Sequence, residues 1–163
     1  MPNRRTLVPA LALICAAALS GCARERAPEV SYVLLNGQKA SSQQWAGKVM
    51  LVNFWATSCA TCVKEMPQIV ATHDKFKARG LDTLAVAMSY DPPAFVSRFA
   101  ETRKLPFGVA IDNTGAVAQA FGSVQMTPTT FLINKHGEVV KRYVGEPDFA
   151  ALHGLIEQLL AES

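Results

Sequence analysis

Cys59 and Cys62 are the residues of this chain whose type and spacing are best suited to chemistry. They directly follow an apolar run over 49–55, where the pattern changes from that of a strand to that of a helix. Two cysteines at this spacing can switch between a dithiol and a disulfide, and the amide dipoles of a helix start stabilise the thiolate of the first one. We therefore expect Cys59 to be the exposed nucleophile and Cys62, one helical turn later, to be the buried resolving thiol.

The same cysteine spacing also occurs as half of a zinc site. Zinc requires two further ligands, and the three histidines, His73, His136 and His153, are scattered over two predicted helices and a turn. We therefore predict no metal and no cofactor. A binding protein stays an alternative, because two thiolates can hold Cu(I) if Met126 or a histidine supplies a third ligand.

The start of the chain has the pattern of an export signal. Arg4 and Arg5 precede an apolar stretch over 7–19, which fits a signal peptide and is shorter than the roughly 20 apolar residues of a membrane span. The sequence Leu19-Ser20-Gly21-Cys22 then resembles a bacterial lipobox. We therefore predict that Cys22 is lipidated and becomes the first residue after cleavage.

Cleavage at this position divides the chain into a lipoprotein signal peptide over 1–21, a lipidated tether over 22–29 and one domain over 30–163. The formal charge of +3 then falls to +1, because Arg4 and Arg5 are the only charged residues removed, and no nucleic-acid surface is expected. The predicted location is the periplasmic side of a bacterial membrane, with the inner or outer membrane left open. A disulfide between cysteines so close in sequence would stabilise the fold little, so their spacing favours reactivity.

The elements that must position the cysteines alternate between strand and helix. Strands are predicted over 32–35, 49–55, 81–88, 107–111, 129–133 and 139–144, and helices over 59–79, 93–104, 114–121 and 149–160. Ser58 and Asp91 are candidate N-caps for the first two helices. Strands that alternate with helices and end in a hairpin predict an α/β fold, with a mixed central β-sheet and helices on both faces.

Two segments carry a family resemblance. Trp55-Ala56-x-x-Cys59-x-x-Cys62-x-x-Glu65-x-Pro67 is followed about sixty residues later by Thr127-Pro128-Thr129-Thr130-Phe131. Together these motifs resemble the thioredoxin superfamily, and more narrowly the exported TlpA/ResA/CcmG-like thiol-disulfide oxidoreductases, over residues 30–161. The resemblance implies a thioredoxin-like fold, a cis peptide bond at Pro128, and redox work by a membrane-tethered protein outside the cytoplasm.

Glu65 is the predicted proton-handling residue. It follows the second cysteine by three positions on the same predicted helix, so it lies near the dithiol. In the resembled family a glutamate at this position affects the thiol pKa values, and a partly buried carboxylate can carry a proton to or from the resolving thiol. The alternative is an exposed helix glutamate beside Lys64.

Four residues are predicted to bind the client protein. The resemblance implies that Thr127 and Pro128 dock the client polypeptide. Met126 precedes them and is expected to line the dithiol groove. Trp55, four residues before the first cysteine, either shapes the site or is a core aromatic at a strand end.

The predicted function is that of a lipid-anchored, extracytoplasmic thiol-disulfide oxidoreductase that reduces disulfides in specific client proteins. By resemblance, the clients are apocytochrome c haem-site cysteines or copper-site proteins, and the electrons come from a membrane thiol-disulfide transporter. Ser58 stands where the family usually carries an aromatic residue, and Ala60-Thr61 lacks a proline that commonly precedes the second cysteine. Both departures leave the reduction potential and the client open.

A thiol peroxidase of the peroxiredoxin type is the enzymatic alternative, because it shares the fold. Its peroxidatic site has the spacing Thr-x-x-Cys. Thr57 lies only two residues before Cys59, and Thr61 is adjacent to Cys62, so this spacing is not met.

Overall fold

The computed structural model describes residues 24–162. The predicted signal peptide over 1–21 and the predicted lipidation site Cys22 lie outside these residues. The strands are β1 (Ser31–Val33), β2 (Lys39–Ser41), β3 (Val49–Trp55), β4 (Leu81–Ala87), β5 (Gly108–Ile111), β6 (Thr129–Ile133) and β7 (Val139–Val144). The helices are α1 (Ala60–Phe76), α2 (Pro93–Arg103), α3 (Ala116–Ala120) and α4 (Phe149–Ala161). Within the described residues, no helix is long and apolar enough to cross a membrane.

A five-stranded sheet with the order β5-β4-β3-β6-β7 forms the centre of the domain. Strands β3, β4 and β5 are parallel, whereas β6 and β7 run antiparallel to their neighbours. Strands β1 and β2 form a separate antiparallel hairpin. The predicted α/β fold with a mixed central sheet is confirmed.

Strand β3 lies in the middle of this sheet and is buried along its whole length. Alternate side chains of a strand point to opposite faces, so each face of β3 contributes to a different apolar cluster. One cluster contains residues of α1, α2 and α4, and the other contains residues of α3 and of the 3₁₀ turn Ser42–Trp45. Helices therefore cover both faces of the sheet, and the dithiol follows directly from the end of its most buried strand.

The N-cap of the first helix lies one residue later than predicted. Cys59, not Ser58, is the N-cap of α1, and its sulfur accepts a hydrogen bond from the backbone N–H of Cys62. The exposed Ser58 makes no capping contact, because its neighbour already occupies that position. The helix and the 3₁₀ turn that extends it end at Gly80, whose φ of 106° is accessible to glycine at little steric cost.

The predicted N-cap role of Asp91 is wrong. Pro92 occupies the N-cap of α2 and makes no side-chain capping bond. The buried carboxylate of Asp91 turns away from the helix, because the backbone N–H and the hydroxyl of Thr57 both donate to it. Asp91 therefore connects the start of α2 to the loop that precedes the dithiol.

Residues 25–27 attach to the end of the sheet opposite the dithiol. The carbonyl of Glu25 accepts from Val139 N–H at 2.7 Å, and Ala27 N–H donates to the carbonyl of Gly137 at 2.8 Å. Gly137 lies in the turn between β6 and β7, next to the strand end at which β3 begins. The segment predicted as a tether thus contacts the domain from Glu25 onward.

Candidate active site

Cys59 and Cys62 form a disulfide bond with a Cα–Cα distance of 5.2 Å. Cys62 is fully buried on α1, whereas Cys59 at the N-cap is partly exposed. The backbone N–H of Cys62 donates to the sulfur of Cys59 at 3.1 Å. After reduction the same N–H group and the helix dipole favour a thiolate on Cys59 over one on Cys62.

The loop before β6 lies against the exposed sulfur. The Thr127-Pro128 peptide bond is cis, as the resemblance implied, and the carbonyl oxygen of Thr127 lies 3.6 Å from Cys59 Sγ. The hydroxyl of Thr127 is 3.4 Å from that of Tyr90. The structure therefore brings Thr127 and Pro128 to the dithiol. That they dock a client polypeptide stays a prediction.

Glu65 is fully buried in α1, so the alternative of an exposed helix glutamate is wrong. The neighbouring Lys64 points to the surface and pairs with Glu146 at 3.0 Å. Burial raises the pKa of Glu65 to about 7; a hydrogen bond from Asn53 opposes this rise, and the charge of Glu146 adds to it. A carboxyl with a pKa of about 7 can both accept and release a proton near neutral pH.

Asn53 connects Glu65 to the sheet. Its amide nitrogen donates to Glu65 Oε1 at 3.0 Å and to the hydroxyl oxygen of Thr130 at 2.9 Å. All three side chains are buried. Glu65 Oε2 and Asn53 Oδ1 have no hydrogen-bond partner among the described residues. The result is a short, buried polar chain from α1 through β3 to β6.

Trp55 and Met126 occupy different environments. Trp55 is fully buried and packs on Phe99, with the ring centroids 5.0 Å apart. It belongs to the same apolar cluster as Cys62, so it supports the site from the core, and its predicted part in client binding is not tested. Met126 is 66% exposed and immediately precedes Thr127.

Exposed apolar side chains lie on the elements next to the partly exposed cysteine. Tyr90 is 57% exposed, Phe95 60% and Val144 55%. Tyr90 contacts Thr127, and Val144 pairs with Thr129 one residue beyond the cis proline. A shallow groove beside the dithiol loop is lined by Thr57, Phe95, Arg98, Phe99, Thr102 and Arg103. This surface can bind an extended polypeptide with apolar side chains.

Sequence reasoning missed Asn53, Thr130, Asp91 and Tyr90 as parts of this site. Asn53 carried a usable signal, because it is an amide in the middle of an apolar strand. The other three residues give no such signal, since their partners come from distant parts of the chain. Among residues 24–162, no group of three or more His, Cys, Asp or Glu side chains is arranged to hold a metal ion.

Comparisons with known proteins agree with this geometry. The Redoxin family model matches residues 23–156. A thiol-disulfide oxidoreductase ResA of Halalkalibacterium halodurans is 34% identical over 142 residues, covering 86% of this chain and 75% of that protein. A ResA of Geobacillus kaustophilus is 36% identical over 119 residues, covering 73% of this chain and 67% of that protein.

Solved structures of similar proteins share the fold over the same region. A solution structure from Neisseria meningitidis that carries the name thioredoxin is 43% identical, with a TM-score of 0.79, covering 85% of this chain and 93% of that one. A thiol:disulfide interchange protein of the thioredoxin family from Chlorobium tepidum is 27% identical, with a TM-score of 0.77 and coverage of 85% and 97%.

Proposed function

Because this chain belongs to the redoxin family and is a thiol-disulfide oxidoreductase of the ResA type, we propose that it reduces disulfides in specific client proteins outside the cytoplasm. The observation that supports this proposal best is the exposure of four apolar side chains on the elements next to Cys59, namely Tyr90, Phe95, Met126 and Val144. A small-molecule thiol reagent needs no such surface. An extended protein segment that presents a disulfide does.

The reaction begins with the dithiol form. The thiolate of Cys59 attacks one sulfur of the client disulfide, forming a mixed disulfide and releasing the other client sulfur as a thiolate, which takes a proton from water. Cys62 then loses its proton and attacks Cys59, so the internal disulfide forms and the second client sulfur leaves. Two electrons pass from the protein to the client. A separate electron donor must return the protein to its dithiol form.

The loop at the cis proline holds the client during this exchange. The carbonyl of Thr127 lies beside Cys59 Sγ, so a client strand that hydrogen-bonds to this loop places its sulfur near the nucleophile. Glu65 takes the proton that Cys62 loses in the second step. Its raised pKa suits this role, because a base is most effective when its pKa is near the working pH.

Lipidation of Cys22 would attach the domain to the membrane by the end of the sheet opposite the dithiol. Glu25, the first residue that pairs with the hairpin, comes three positions after Cys22, which corresponds to about 10 Å of extended chain. The seven residues of β3 separate that end of the sheet from the dithiol by about 20 Å. Either the inner or the outer membrane can carry this anchor.

The proposed clients are apocytochrome c haem-site cysteines or copper-site proteins, and the proposed electron donor is a membrane thiol-disulfide transporter. These choices rest on the resemblance to the exported oxidoreductases. Cysteines joined in a disulfide have no free thiolate, so either kind of client has to be reduced before its cysteines can react with haem or bind a metal. The surface around Cys59 is where such a segment would dock.

Replacement of each cysteine tests the proposed reaction. With a disulfide-containing client peptide, Cys62→Ser should accumulate a mixed disulfide through Cys59, whereas Cys59→Ser should trap nothing. Equal inertness of both variants would contradict the mechanism. Consumption of hydrogen peroxide by the reduced protein would instead support the peroxidase alternative, and retention of one Cu(I) against a chelator would support the copper-binding alternative.

A further inference from the structure

Asn53 is the one amide side chain of β3, and it lies in the fully buried centre of the sheet. Burying an amide is costly unless its hydrogen bonds are made. Both of its N–H groups are used, one by Glu65 Oε1 and one by Thr130 Oγ1. An apolar residue at this position would pack at lower cost, so the amide requires an explanation beyond the stability of the strand.

The hydrogen bond from Asn53 makes the two oxygens of Glu65 unequal. Oε1 is held by the amide, whereas Oε2 is buried and has no partner among the described residues. A proton on the carboxyl therefore belongs on Oε2, because the carbonyl-type oxygen of a protonated carboxyl is its better hydrogen-bond acceptor and Oε1 is the oxygen that accepts from Asn53. Glu65 and Cys62 are three residues apart on α1, and both are fully buried on its inward face.

We propose that Asn53 is a positioning residue for the redox reaction: it fastens Oε1 of Glu65 to β3 and leaves Oε2 as the atom that exchanges a proton with Cys62. The inference rests on the proposed reductase function and adds a residue to it. When the mixed disulfide is resolved, the proton of the Cys62 thiol passes to Oε2. The Cys62–Cys59 bond forms, and the bond from Cys59 to the client sulfur breaks.

Thr130 completes the arrangement by holding the second N–H of Asn53. It is the second residue of β6, two positions after Pro128. The amide is thus fixed from both sides, by α1 and by β6, and cannot rotate without breaking a buried hydrogen bond. Fixing the amide fixes the carboxyl, because Asn53 is the hydrogen-bond donor to Glu65 in the described part of the chain.

The test uses reduced protein and 5,5′-dithiobis(2-nitrobenzoate) in a stopped-flow instrument. Attack by Cys59 releases one thionitrobenzoate, and resolution by Cys62 releases the second, so the second phase isolates the step assigned to Glu65. The hydrogen bond from Asn53 favours the ionised carboxyl. Asn53→Ala should therefore move the pH midpoint of the second phase upward by about one unit. That phase should be about tenfold slower at pH 6 and nearly unchanged above pH 9.

Matched variants separate positioning from folding. Thr130→Val should shift the midpoint in the same direction by less, and Thr130→Ser, which keeps the hydroxyl, should retain the wild-type midpoint. Thr83→Val removes a different buried hydroxyl, which contacts His73 at 3.1 Å, and should leave the midpoint unchanged. These variants keep the test available if Asn53→Ala does not fold.

Three results distinguish the role of Asn53 from the proposed function. An unchanged midpoint in Asn53→Ala and Thr130→Val, with the pH dependence abolished in Glu65→Gln, would overturn the role of Asn53 and leave the proposed function intact. The absence of a second phase in the wild-type protein would contradict the dithiol mechanism itself. A second phase slowed equally at every pH would show a merely structural role and would also overturn the proposal.

Discussion

Replacing Glu65 with glutamine should make the protein more stable at neutral pH while impairing its reaction. The carboxyl is fully buried, and burial raises its pKa from 4.5 to about 7. An unfolded chain ionises this group near pH 4.5, whereas the folded protein keeps its proton until about pH 7. The folded state therefore binds more protons over this interval, and the wild-type free energy of unfolding falls as pH rises through it. Above about pH 7 the loss is complete.

The expected loss follows from the size of the pKa rise. At 1.36 kcal/mol per unit, a rise from 4.5 to about 7 corresponds to about 3 kcal/mol. Glutamine carries no titrating proton and can still accept the hydrogen bond from Asn53. Glu65→Gln should therefore match the wild type at pH 4 and exceed its stability by about 3 kcal/mol at pH 8.

Urea unfolding of the oxidised protein at a series of pH values measures this difference, because no thiol titrates in the disulfide form. Glu101→Gln, which removes an exposed carboxylate from α2, is the matched control and should follow the wild-type curve. Parallel curves for the wild type and Glu65→Gln would refute the reasoning. So would a glutamine variant that is less stable at pH 8.

Three further changes test other parts of the structure. Asp91→Ala removes both hydrogen bonds to Thr57 and should lower the free energy of unfolding by about 2–3 kcal/mol, measured by urea unfolding; Asp91→Asn should lose less. Phe95→Asp should reduce kcat/KM for a protein disulfide about tenfold without changing the reduction potential. The control Val33→Asp, at an exposed position on β1, should change neither quantity. A shifted reduction potential in Phe95→Asp would contradict a docking role. Phe54→Ala should destabilise the fully buried aromatic cluster by about 3–5 kcal/mol, and a loss below about 1 kcal/mol would contradict its tight packing.

Three strands of the sheet could be predicted from the sequence to the residue. The runs over 49–55, 129–133 and 139–144 match β3, β6 and β7, because segments rich in β-branched, aromatic and other apolar residues and bounded by turn residues favour strands. The cysteine pair was found from its spacing, and the cis peptide bond at Pro128 was expected from the family resemblance.

Side-chain partners from distant parts of the chain could not be predicted. Asp91 was expected to cap α2, but its carboxylate binds Thr57, 34 residues earlier in the chain. Asn53 contacts Thr130 across 77 residues, a pairing that exists only once β3 and β6 are adjacent. Capping preferences describe only contacts between a side chain and the adjacent helix. A buried carboxylate or amide instead binds the donors or acceptors that the packed core places beside it.

The same limit applies to the environment of the proton-handling residue. The sequence predicted that Glu65 lies one helical turn after the resolving cysteine, and this follows from the spacing of three residues in any α-helix. Its complete burial depends on the packing of α1 against the sheet, and its raised pKa depends on that burial. The spacing of residues therefore indicated the candidate group, and the fold determined its chemistry.

The reduction potential of the Cys59–Cys62 pair decides whether the protein gives electrons to its clients or takes them up. It is measured in the domain that follows Cys22, by equilibration with dithiothreitol and glutathione buffers and titration of the free thiols. We expect a value at or below about −230 mV, as for a protein that donates electrons to client disulfides. A value near about −120 mV would contradict it, because such a pair oxidises client thiols.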